Sequence, residues 1–169
     1  MYGAIIGDIA GSTLEFRRKK IYDFPIFLKG SDITDDSIMT IAVARALMQW
    51  KNQGGDLHEA MRFHMRDLGR KYPYPLGAYG GNFASWLRSS SKLPYNSCGN
   101  GSAMRVSPCG LIAASLEEAL ELAKISAEVT HNHPEGIKGA QATAAVIYLA
   151  KTGYCIEEIR GYIHENFYP

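Results

Sequence analysis

Cysteine is scarce and unpatterned: Cys98, Cys109 and Cys155 are odd in number and lack any Cys-x-x-Cys spacing. Neither a disulfide framework nor a thiolate zinc site is indicated, and buried free thiols are the expectation. Long apolar runs are missing as well. The most apolar stretches, around Ile38–Met48 and Ala140–Ala150, fall short of the roughly 20 residues that a membrane span requires. Met1–Ile9 reaches Asp8 without a cationic start, so it does not read as a secretory signal, and the cytoplasm is the expected compartment. An excess of either charge is absent too, with 18 Lys+Arg against 17 Asp+Glu and a net charge of +1. That balance offers no electrostatic footprint for nucleic acid. No repeat or low-complexity tract divides the 169 residues, of which 46% are hydrophobic, so a single domain with a sizeable core is expected.

Strand patterning is also wanting, because no alternation of apolar and polar residues is long enough to insist on a strand. What recurs is helical periodicity between Gly- and Pro-rich connectors, which predicts an all-α fold. Met1–Thr13 is a small-residue helix in which Gly3, Gly7 and Gly11 form a bare face open to close helix approach. Thr34 stands at an N-cap position ahead of a helix running to Trp50, and Gly54-Gly55 ends it. Asp56 caps the next, with Leu57, Ala60, Met61, His64 and Leu68 on one face. A short Phe83–Leu87 helix follows a glycine-rich loop, and Pro108 breaks the apolar segment after a second such loop. Ser115 and Glu118 form a capping box for a helix burying Leu116, Leu120 and Ala123. Pro134 suits a first turn before the apolar core helix Ile137–Lys151, and Glu157–Phe167 is a last amphipathic helix.

Thr34-Asp35-Asp36, with Asp32 before it, is the sharpest chemical feature. Acids at a helix start are ordinary capping residues. Crowded carboxylates beside a hydroxyl also suit a hard cation such as Mg²⁺. Glu15 follows Asp8 by two turns and shares its face if the first helix continues past Ser12. Gly99-Asn100-Gly101-Ser102 can form a backbone nest for an anion, with Arg105 one turn on, or simply a turn. Arg17–Lys20 is a solvated basic face or a phosphate contact. His131-Asn132-His133-Pro134 has the His-x-His-Pro pattern of JAMM-type metalloproteases, but Gln141 and Ala144 stand where that pattern needs Ser and Asp. One histidine meeting a ligand and the other capping a helix is the better reading.

Taken in order, these segments resemble the ADP-ribosylglycohydrolase family. The matching blocks are Gly3–Gly11 with Glu15, Thr34-Asp35-Asp36, Gly80-Gly81-Asn82, Gly99–Val106 and Thr130–Pro134. The resemblance implies an all-α orthogonal helical bundle whose cleft holds a pair of Mg²⁺ ions, or Mn²⁺ in some members. It implies hydrolysis of the bond joining ADP-ribose to a modified protein side chain or small acceptor. Thr34, Asp35 and Asp36 would be metal ligands, with Asp36 and Glu15 at the reacting centre and Glu15 positioning or activating water. Gly99, Asn100, Gly101, Ser102 and His131 would hold the ribose and phosphates, and Tyr79, Gly80 and Gly81 would lie near the pyrophosphate or adenosine.

The family carries a later Gly-Asp-x-Asp-Thr block that supplies the other half of the metal site, and these residues contain none. The domain is therefore expected to be incomplete at its C-terminal side, with a second polypeptide as one source of the missing ligands. A catalytically silent ADP-ribose-binding or assembly module is the alternative function. A fragment exposing the apolar face that absent helices would cover is a third.

Overall fold

The capping residues mark the helix starts in a computed structural model, which describes residues 1–15, 23 and 25–168. Eight α-helices occur among them: α1 (Tyr2–Gly11), α2 (Asp35–Gln53), α3 (Leu57–Lys71), α4 (Gly81–Arg88), α5 (Ser107–Ile112), α6 (Leu116–Glu128), α7 (Pro134–Lys151) and α8 (Ile156–Asn166). A 3₁₀ turn, Asn100–Ser102, precedes α5. The expected all-α class holds among the described residues, whose only bridge is the isolated Thr34–Leu76 pair. No helix among them is long and apolar enough to cross a membrane. Arg17–Lys20 lies outside the described residues.

Local chemistry accounts for the boundaries. Asp56 Oδ1 accepts from the backbone N–H groups of His58 and Glu59, and Ser115 Oγ from that of Glu118. His133 Nδ1 accepts from the Glu135 N–H, while Pro134 fills a first-turn position that needs no donor. Pro108 likewise opens α5 instead of breaking it, because a proline in the first turn removes no helical hydrogen bond.

α2 packs along α3 and α6 along α7, with α5 set against α2, α6 and α7. The α6 face is centred on Ala119, Ala123 and Ala127, all fully buried, whereas Leu116 and Leu120, expected inside, are only half-buried. Small side chains occupy the centre because α7 presents Ala140 and Ala144 to the same core. Backbones come close there: a methyl group on Gly110 would lie 2.6 Å from the Ala144 carbonyl oxygen. His64, placed on the inner face of α3 by periodicity, is instead half-buried, its Nε2 2.7 Å from Gln49 Oε1.

Two further expectations fail. Among the described residues the Gly3, Gly7 and Gly11 face meets nothing within 4 Å of where a Cβ would stand, and α1 has no buried residue. Its glycines therefore accommodate no helix among the described residues. Of the cysteines only Cys109 is buried; Cys98 and Cys155 are exposed, lying in a loop and at the start of α8, where neither is enclosed by packing.

Candidate functional site

The start of α2 is held from α1. Asp8 Oδ2 accepts from the backbone N–H of Thr34 at 2.9 Å and of Ser37 at 3.2 Å, and Asp8 Oδ1 accepts from the Thr34 hydroxyl at 2.6 Å. Thr34 Oγ1 in turn accepts from the Asp36 N–H at 3.1 Å. Asp8 thus supplies a second cap, answering α2 donors that would otherwise be unsatisfied. Thr34 is buried, with its oxygen engaged between Asp8 and Asp36.

Around this cap the acids crowd. Burial, then the Asp36 charge, raises the Asp35 carboxyl to about 6. Asp36 is raised by burial and then by Asp8, and Glu15 by burial and then by Asp36 and Asp8. Like charges this close disfavour each other's ionised form. The helix expected to carry Asp8 and Glu15 on one face ends at Gly11, although the Glu15 N–H still donates to the Gly11 carbonyl at 3.0 Å and the Asp8 charge still acts on Glu15. Behind Asp8, the buried Ser37 hydroxyl has no hydrogen-bond partner among the described residues.

Asp35 also faces a cleft of ≈ 250 Å³, lined with it by Met39, Gly80, Gly81, Phe83, Tyr95, Asn100, Gly101, Arg105 and His131 among others. Six of the sequence-predicted residues, Asp35, Gly80, Gly81, Asn100, Gly101 and His131, meet in that one space. The others do not line it. Tyr79 turns into the core, packing on Phe83 with centroids 5.4 Å apart and donating from its hydroxyl to the Tyr72 carbonyl at 2.9 Å. Burial raises its phenol well above the ordinary range. Ser102 is buried and donates to the Gly136 carbonyl at 2.7 Å, tying the glycine loop to α7. Gly99 sits at the exposed rim, its N–H donating to Ser97 Oγ. Thr34, Asp36 and Glu15 lie with Asp8 at the helix start.

The two histidines separate. His133 caps α7, while His131 is buried in the cleft wall, its ring edge-on to Tyr95 at 5.6 Å and its Nδ1 2.8 Å from Thr130 Oγ1. Burial, and then the Arg105 charge, depresses its pKa to about 4. Arg105 does not reach outward as a free anion contact. It is fully buried, and its Nη2 donates to the Ser126 carbonyl at 2.6 Å and to Thr130 Oγ1 at 2.9 Å. The Ser126 carbonyl in the last turn of α6 stabilises a buried cation there, although burial still lowers its pKa to about 10.

Asp8, Tyr95 and Met39 stand at the site without a role assigned from the sequence. Asp8 could have been found from its pairing with Glu15. The other two carry no local signal, since only the fold brings a loop and a helix interior to one cleft.

The chain matches the family model described as ADP-ribosylglycohydrolase over residues 1–166. It is similar to ADP-ribosylhydrolase ARH3 of Gallus gallus, at 28% identity covering 89% of this chain and 49% of the relative. It is also similar to ADP-ribosylarginine hydrolase Tri1 of Pseudomonas putida, at 28% identity covering 94% of this chain and 47% of that protein. The chain therefore spans about half the length of the curated relatives it matches. With a match across nearly all its residues and an all-helical fold among the described residues, this chain belongs to the ADP-ribosylglycohydrolase family.

Proposed function

We propose that the cleft binds ADP-ribose and that the chain contributes it to a hydrolase releasing ADP-ribose from a modified protein side chain or small acceptor. The observation that carries this reading is the convergence of Asp35, the glycine segments Gly80-Gly81 and Asn100-Gly101, and His131 on one space. Backbone amides exposed by glycine suit phosphate and ribose oxygens. Asp35 stands where a ribose hydroxyl can donate to it, and Glu15, beside Asp8 and Asp36, can orient a water toward the scissile bond.

The carboxylates of Asp35 and Asp36 are oxygen donors of the kind a hard divalent cation, Mg²⁺ or alternatively Mn²⁺, takes, and the repulsion among them, Glu15 and Asp8 is what such an ion would relieve. Asp35 and Asp36 would hold it, with Thr34 limited by its existing hydrogen bonds. When bound, the ion would supply Lewis-acid polarisation of the ribose oxygens. Among the described residues no group of three or more His, Cys, Asp or Glu converges in metal-holding geometry. We infer that further oxygens come from elsewhere, with a second polypeptide as one source.

That same incompleteness, beside an intact cleft, favours a second reading: an ADP-ribose-binding module without turnover. Release of ADP-ribose from an ADP-ribosylated peptide in Mg²⁺, lost in Asp35→Asn and Asp36→Asn, supports the hydrolase. Turnover unchanged in both variants refutes the assigned acids. Calorimetric binding of ADP-ribose without product supports the module, and neither binding nor turnover refutes both readings.

A further inference from the structure

We propose that Arg105 and Thr130 are positioning residues that hold His131 as the Nε2–H tautomer, so that its ring offers the cleft a hydrogen-bond donor. A buried chain of donors fixes where the hydrogens lie. Arg105 can only donate, and its Nη2 lies 2.9 Å from Thr130 Oγ1, so that oxygen accepts from the guanidinium. The Thr130 hydroxyl has a single hydrogen of its own, and His131 Nδ1 is 2.8 Å away. Donation along this line makes Nδ1 an acceptor, which leaves the ring hydrogen on Nε2.

The reverse arrangement would fill both lone pairs of that oxygen, from Arg105 and from Nδ1–H, and leave its hydrogen to the Tyr95 phenol. It would also send the hydroxyl hydrogen away from the nitrogen nearest to it. A doubly protonated ring is disfavoured because it would add a second positive charge next to a buried Arg105 with no carboxylate hydrogen-bonded to it among the described residues. The ring orientation is held independently. Tyr95 packs edge-on against it, and Nε2 and Cε1 lie 2.9 Å and 3.0 Å from where a methyl on Gly101 would stand. Nε2 makes no hydrogen bond among the described residues, and it sits at the glycine loop that lines the cleft.

A fixed Nε2–H donor selects an acceptor oxygen, from a ribose hydroxyl or a phosphate. This choice of ligand atom rests on the reading of the cleft as an ADP-ribose site, whereas the tautomer does not.

Long-range ¹H–¹⁵N spectra of the imidazoles in the full labelled chain test the tautomer directly. The expected result is protonated Nε2 and unprotonated Nδ1 in His131 at neutral pH and still at about pH 5, where an ordinary histidine is charged. Thr130→Val, which keeps the shape and removes the hydroxyl, should shift His131 toward Nδ1–H, and Thr130→Ser should restore Nε2–H. ADP-ribose affinity should fall about tenfold in Thr130→Val, the scale of one lost hydrogen bond, and recover in Thr130→Ser. An Nδ1–H tautomer in the unmodified chain overturns the proposal without need of any variant. So does a folded Thr130→Val protein with the tautomer unchanged. If the unmodified chain shows Nε2–H but binds no ADP-ribose, the positioning role stands and the ligand assignment fails.

Discussion

Replacing Gly101 by alanine should damage the cleft by a mechanism that neighbouring glycines do not share. The added methyl would stand 2.9 Å from His131 Nε2 and 3.0 Å from Cε1, well inside ordinary van der Waals separation. The imidazole has little freedom to yield, since it is 5% exposed, hydrogen-bonded through Nδ1 to Thr130 and braced by Tyr95. Gly101 does not occupy a positive-φ conformation, so the penalty comes from crowding and not from the backbone. Overpacking of this kind costs about 1–3 kcal/mol, and each kcal/mol lowers Tm by about 2–4 °C in a domain of this size. Gly80→Ala and Gly81→Ala are the controls, because a methyl at either meets nothing within 4 Å. Thermal and urea unfolding of the three variants, with His131 followed by NMR, should show loss of stability and a displaced ring in Gly101→Ala alone. Equal stability in all three, with unshifted His131 resonances, would refute the close contact.

Asp8→Ala removes three hydrogen bonds at the start of α2 and should cost about 1–3 kcal/mol in urea unfolding. Asp32→Ala, whose carboxylate meets only the adjoining Ile33 N–H among the described residues, should stay within about 0.5 kcal/mol, and equal losses would contradict the double cap. His131 and Asp35 make opposite contributions to the pH dependence of stability. His131 titrates near 4 when folded against an ordinary 6.5, so the unfolded chain takes the proton first. Its contribution to stability is complete above pH ~6.5 and is lost as pH falls toward ~4, on the order of 3 kcal/mol in all. Asp35, raised to about 6, takes its proton first in the folded state and adds stability as pH falls below that value. In unfolding at neutral and mildly acidic pH, His131→Asn should therefore gain stability relative to the unmodified chain on acidification, and Asp35→Asn should lose it; parallel pH curves would disprove both shifts.

Capping and periodicity are local, and the features that depend on them were readable along the chain. Thr34, Asp56 and Ser115 begin helices because their side chains reach N–H groups two or three residues ahead. The capping role of His133 follows similarly from Pro134, which starts α7 and makes the preceding histidine its cap. Element order and the ordered blocks of site residues were legible for this reason. Contacts between distant segments were not. Tyr79 and Ser102 sit inside the predicted site blocks, yet their hydroxyls donate to the carbonyls of Tyr72 and Gly136, an outcome set by packing against other elements. Asp8 reaches Thr34 and Ser37 across 26 and 29 residues, and Arg105 reaches Thr130 across 25. No spacing rule encodes such distances. The residue types that chemistry requires are properties of the chain, but which of their atoms remain free to act is settled only when folding assigns every buried donor and acceptor its partner.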